Sequence, residues 1–94
     1  MMKNSVTSAQ ALALVQPVVP TIQQHVYNYI LAQGLNGATA DEIEVALNIP
    51  GSTIRPRLRE LEFDQQKIIL TGATRLTRRG RKACIYIVWE AVPE

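Results

Sequence analysis

The segment Thr39–Phe63, TADEIEVALNIPGSTIRPRLRELEF, decides how the chain folds. Thr39 stands three residues before Glu42, the spacing of a capping box. In that motif each residue's side chain satisfies an orphan backbone N–H of the other at a helix start. Ile43, Ala46 and Leu47 then recur at helical spacing as one apolar stripe. Asn48-Ile49-Pro50-Gly51 ends this helix, because proline lacks a donor and glycine admits dihedrals that other residues avoid. Ser52 or Thr53 is placed to cap a second helix, in which Ile54, Leu58 and Leu61 share a face.

The arginines mark what that second helix is for. With Ile54 at the centre of the buried face and about 100° per residue, Leu58 and Leu61 fall within roughly 40° of it. Ser52, Arg55 and Arg59 turn outward at about 100° to 160°. Arg57 flanks the apolar stripe. The helix thus has a buried edge and a basic, hydroxyl-bearing edge, as a helix entering a negatively charged groove requires. Glu60, Glu62 and Asp64 follow closely and can neutralise part of that charge, in which case the helix is simply a solvated amphipathic one.

Upstream, Thr21 with Gln24 repeats the capping-box spacing. Ile22, Val26, Tyr29 and Ile30 form a core-facing stripe, and Gly34 is suited to a left-handed helix end. Tyr27 and Leu31 lie on the other side. They are either two ordinary exposed residues or a contact surface for residues 1–19, whose apolar Ala11–Val15 and Val18-Val19 want a partner. Asn36-Gly37 signals a turn, and Gly37-Ala38 is placed for a short β-bridge.

Downstream the period changes. Lys67–Thr71 and Ala83–Trp89 read as strands. Between them, Arg75, Arg78, Arg79, Arg81 and Lys82 are interleaved with Thr74 and Thr77, with no acid. Like charges crowded on a hairpin tip repel one another and call for a counter-anion, which a phosphate backbone supplies. A turn at Arg79-Gly80 would set Thr77 opposite Lys82 and Arg75 opposite Cys84.

Charge is divided unevenly along the 94 residues. Residues 1–50 are net −2, with Lys3 against Asp41, Glu42 and Glu44. Residues 51–94 carry nine basic and five acidic side chains, net +4. A basic second half points to a localised anion-binding surface. The lone Cys84 excludes an internal disulfide and, with the single His25, a metal cluster of these residues; a buried thiol is the expectation. No Ser/His/Asp grouping or phosphate-cradling glycine loop is present, so an enzyme, a cofactor or a bound metal is not expected. Tyr86 and Trp89, on an apolar closing strand, read as core. No stretch is long enough to span a bilayer. Gln16 and Pro17 interrupt the apolar run after Lys3, which argues against a secretion signal. The expected location is the cytoplasm of a bacterium or of a phage-infected cell.

The order of elements, with STIRPRLREL followed by RRGRKACIY, resembles a winged helix-turn-helix domain. It is most similar to the short single-domain versions of phages and prophages, distant relatives of the MarR-type regulators. The resemblance spans about Thr21 to Trp89. It implies an α+β, mainly α, fold: a three-helix core with a β-hairpin wing over residues 20–90, preceded by an arm (1–19) and followed by a tail (91–94). It implies double-stranded DNA as partner, with the recognition helix in the major groove and the wing on the backbone or in the minor groove. By position, Ser52, Thr53, Arg55, Arg57 and Arg59 would be recognition-helix contacts, and Arg75, Arg78, Arg79, Arg81 and Lys82 wing contacts.

Two departures stand out. Asp64-Gln65-Gln66-Lys67 lacks the glycine that often precedes the first wing strand. Pro56 is harmless if Thr53 caps the helix, but should distort it near Ile54 if the helix begins at Gly51. The implied function is a small transcriptional regulator or repressor. The alternatives are an accessory factor of phage replication, recombination or packaging, and a protein-interaction module that homodimerises through the arm and Tyr27/Leu31.

Overall fold

A computed structural model describes residues 21–92. It contains α1 (Ile22–Gln33), α2 (Ala40–Leu47), α3 (Gly51–Arg59), β1 (Ile68–Leu76) and β2 (Lys82–Val88). Short 3-10 turns cover Gly34–Asn36 and Trp89–Ala91, and α3 runs on as a π-helical turn over Glu60–Asp64. The described residues are therefore α+β, with three α-helices and one antiparallel hairpin. Among the described residues no helix is long and apolar enough to cross a membrane. The arm expected over residues 1–19 lies outside the described residues.

The core is built from the apolar stripes of the helices. Val26 and Ile30 of α1, Ile43 of α2, Ile54 and Leu58 of α3, and Leu61 meet Ile68 and Val88 of the hairpin, with Ala38 between them. Ala46 is exposed: an eight-residue helix turns so little of its surface inward that Ile43 alone is fully buried. Thr39 and Glu42 form the complete capping box, side chain to backbone in both directions. At α1 the box is half made: Thr21 accepts from the Gln24 N–H, while the Gln24 amide bonds Asn28 instead.

Helix α3 begins earlier than a Ser52 or Thr53 cap would place it. Pro50 is the N-cap, with φ −59° and no side-chain bond. Its carbonyl accepts from the N–H groups of Thr53 (2.9 Å) and Ile54 (3.1 Å). Proline's locked φ suits that position, and its missing N–H is lost outside the helix. Pro56 therefore lies well inside α3, without the distortion expected near Ile54, which keeps its bond to Pro50 and is fully buried. The carbonyl that Pro56 cannot serve belongs to exposed Ser52, where water reaches it. The irregularity comes later, in the π turn, where Gln65 N–H donates to the Glu60 carbonyl at 2.8 Å.

The corner without glycine is turned by Gln66, at φ +53°. A left-handed conformation costs an L-residue about 1–2 kcal/mol, partly offset here because glycine loses about 0.5–1 kcal/mol more backbone entropy. Gln66→Gly is therefore expected to raise stability by about 0.5–1 kcal/mol. A lower thermal midpoint than wild type would show that the exposed glutamine side chain contributes more than its backbone loses.

In the hairpin, Leu76 pairs with Lys82, Arg75 with Ala83 and Thr74 with Cys84. The register is one residue away from that of an Arg79-Gly80 turn. Thr77 is the reason: its hydroxyl accepts from the Arg79 and Arg81 N–H groups, at 3.2 Å each. Its own N–H bonds the Arg81 carbonyl at 2.7 Å. Thr77 thus closes a longer loop instead of ending a strand. Nearer the core, Thr71-Gly72-Ala73 bulge opposite Ile85, with Gly72 at φ +87°, so β1 continues to Leu76 instead of stopping at Thr71. The expected bridge is present, between Ala38 and Tyr86.

Candidate nucleic-acid interface

The exposed edge of α3 and the inner side of the hairpin enclose a cleft of about 800 Å³. Ser52, Arg55 and Arg59 line it from α3, and Arg78, Arg79, Arg81 and Lys82 line it from the hairpin. Asp41 and Glu44 of α2 stand at its side, with Cys84 and Tyr86 at its floor. Gly51 permits this arrangement. A β-carbon there would lie 2.7 Å from both an Arg55 guanidinium nitrogen and a Glu44 carboxylate oxygen.

The basic residues nominated from sequence divide into two groups. Arg55, Arg79, Arg81 and Lys82 are exposed and make no ion pair among the described residues. Arg59 also lacks a carboxylate partner; its guanidinium stacks 5.3 Å above the Phe63 ring. The remaining three are engaged internally.

Arg57 bonds Glu60 at 2.8 Å, and Glu60 also accepts from Gln23 of α1. This is the consequence of flanking the apolar stripe: Arg57 reaches along the protein surface and away from the cleft. Arg75 forms a two-pronged pair with Glu42, 2.7 Å on each side. It also donates to the carbonyls of Asn36 and Gly37. It fastens the hairpin to the start of α2 and is not a cleft residue. Arg78 lines the cleft but pairs with Asp41 and Glu44. Thr53 is half-buried and lies outside the cleft lining.

These pairs hold the carboxylates ionised. The hydrogen bond from Arg78 keeps the Asp41 carboxyl below its ordinary range, and that from Arg75 does so for Glu42. For Glu60, hydrogen bonds from Arg57 and then Gln23 act in the same direction. A depressed carboxyl stabilises the folded state above its unfolded pKa, and that contribution fades as pH falls through the folded value. All three pairs are consequently in place at neutral pH.

Other side chains depart from the sequence reading. Cys84 is exposed, because burial on β2 ends at Ile85 and the strand runs on from there into the exposed part of the hairpin. Trp89 is 52% exposed, since the strand stops at Val88 and the chain turns into a 3-10 helix. Tyr86 is half-buried against the core, and burial raises its pKa. Tyr27 is half-buried. Its hydroxyl donates to Glu90 at 2.5 Å, and Lys67 lies 5.3 Å over its ring. Of that side of α1, Leu31 remains exposed, at 43%. No group of three or more metal-ligating side chains occurs among the described residues.

Comparison with protein families, curated proteins and solved structures returned no match. The functional reading therefore rests on the cleft. Sequence reasoning found its basic residues through the helical period and the charge run. It missed Asp41 and Glu44, whose place beside the wing depends on how α2 packs.

Proposed function

We propose that the protein binds double-stranded DNA as a winged helix-turn-helix, acting as a small transcriptional regulator. Helix α3 enters the major groove and the hairpin lies on the backbone or in the minor groove. The observation that carries this reading is the shared cleft. Arg55 and Arg59 line it from one side and Arg79, Arg81 and Lys82 from the other, and none of the five makes an ion pair among the described residues. A polyanion that meets one set meets the other. Arg57 and Arg75 are not among the proposed contacts, because Glu60 and Glu42 already hold them.

Within this reading, α3 supplies base recognition and the wing supplies phosphate contacts. An arginine that bonds guanine through two hydrogen bonds contributes about 1–3 kcal/mol of discrimination. Arg59→Ala, and in the same way Arg55→Ala, is expected to relax site preference at one base pair. Selection from random duplexes measures this: wild type should recover a defined motif, and each variant a motif degenerate at one position. Recovery of DNA ends or bent sequences by the wild-type protein would instead mark an accessory factor of replication, recombination or packaging.

A further inference from the structure

Arg78 differs from the other arginines of the wing. Its Nε donates to Asp41 Oδ1 at 2.8 Å, and its Nη2 lies 2.7 Å from the same oxygen and 3.3 Å from Glu44 Oε1. Its backbone N–H donates to Asp41 Oδ2 at 3.2 Å. Three anionic oxygens are thus gathered around one guanidinium and one amide, an arrangement that phosphate oxygens can also provide. The Arg78 side chain is 53% exposed, against 31% for Arg75. Arg75 is further tied to two backbone carbonyls, whereas Arg78 has only the carboxylates.

The carboxylates share the cleft with the arginine they hold. They sit on α2, whose N-terminal turn includes Asp41, and the helix dipole favours the charged form there whether or not Arg78 is present. The Asp41 side chain is only 17% exposed, but Arg78 is open to solvent, and an ion pair that water reaches from one side contributes little. A polyanion can break it, yet it is the default state when no polyanion is near.

We propose that Asp41 and Glu44 form an acidic latch that occupies Arg78 in the free protein, so that phosphate entering the cleft binds by displacing them. This rests on the reading of the cleft as a nucleic-acid site. The latch has two consequences for binding. It lowers affinity for every sequence alike, and it leaves the salt slope unchanged, because the same phosphates are neutralised once the carboxylates have been displaced. It also holds the wing tip against α2 until DNA arrives.

The test is a cycle of four proteins on one duplex: wild type, Asp41→Asn/Glu44→Gln, Arg78→Gln, and all three changes together. Removing the carboxylates is expected to tighten binding about two- to tenfold when Arg78 is present. The salt slope should stay within a few tenths of wild type, since Arg78 meets the same phosphate in both complexes. In the Arg78→Gln background the same removal should change affinity much less. An equal gain in both backgrounds would mean a general field effect of two lost negative charges, and no gain in either would mean that the pairs are inert; each overturns the latch.

Failure of the cleft reading is distinguishable from failure of the latch. If the wild-type protein binds no duplex, the Arg78 Nε–H resonance of the free protein is followed by NMR while inorganic pyrophosphate is added. Displacement moves that resonance toward its position in Asp41→Asn/Glu44→Gln. A resonance that stays in place, or that already coincides with those of Arg79 and Arg81, rules the latch out.

Discussion

Gly37→Ala is expected to remove about 2–5 kcal/mol of stability, a large fraction of what a domain of this size possesses. Two effects combine at this position. Gly37 has φ +65° and ψ −168°, a region left almost entirely to glycine, which costs an L-residue about 1–3 kcal/mol. A β-carbon there would also lie 2.5 Å from the Tyr86 carbonyl oxygen and 2.6 and 2.9 Å from Cγ2 of Ile85 and Ile87. The clash falls where Ala38 bridges to Tyr86, with paired bonds of 2.9 Å, so relief would pull the helices away from β2. Urea unfolding of Gly37→Ala beside Gly34→Ala separates the two effects. Gly34 has φ +57° with nothing within 4 Å of the position of a β-carbon. With ψ −134° it too lies outside the left-handed helical region, and its variant should lose only the dihedral part, about 1–3 kcal/mol. Equal losses at both glycines would show that the close approach of β2 contributes nothing.

The contrast between these glycines bears on how far the fold could be read from the sequence. Both were legible as turn residues, because glycine frees the backbone wherever it occurs. That β2 passes within touching distance of one and not the other is a tertiary fact, and no local pattern contains it. The same division runs through the molecule. Ile54, Leu58 and Leu61 gave away the buried face of α3 because burial imposes the helical period on sequence. The start of α3 stayed open between Gly51 and a Ser52 or Thr53 cap, because the Pro50 cap makes no side-chain bond and leaves no signature. The hairpin register depended on one hydroxyl, that of Thr77, accepting two N–H groups, and a threonine in a charged loop announces no such role. At the cleft, the outward side of α3 followed from period alone, and Arg55 and Arg59 stand there. Arg75 and Arg78 looked like any other residue of the charge run. Their partners, Glu42 and Asp41, lie 33 and 37 positions away, and only the packing of α2 beside the wing brings them into reach. Charge runs are visible in sequence, but charge neutralisation across a fold is not.

The distinction between occupied and unoccupied arginines makes the second large effect specific. In the proposed complex, replacing Arg55, Arg59, Arg79 and Arg81 together with alanine is expected to flatten the dependence of log Kobs on log salt by about 2, near 0.9 for each of the phosphates that Arg79 and Arg81 no longer neutralise. Affinity at about 0.1 M salt should fall roughly a hundredfold or more, since Arg79 and Arg81 forgo their counterion release and Arg55 and Arg59 their hydrogen bonds to bases. The fold should survive. Arg55, Arg79 and Arg81 are exposed and unpaired among the described residues, and surface changes of that kind shift stability by about 0.5 kcal/mol or less each. Arg59 additionally gives up its stacking on the Phe63 ring, worth about 0.5–1 kcal/mol at an exposed site. The control is charge removed elsewhere. Lys67 lies over Tyr27, outside the cleft lining, and Arg57 is held by Glu60. Lys67→Ala and Arg57→Ala should each leave the salt slope within a few tenths of wild type. If those two variants flatten it as much per charge as the cleft arginines do, binding reflects the net charge of the basic half and the cleft has no particular part in it. A quadruple variant that keeps both wild-type slope and wild-type affinity removes the cleft as the site of DNA binding altogether.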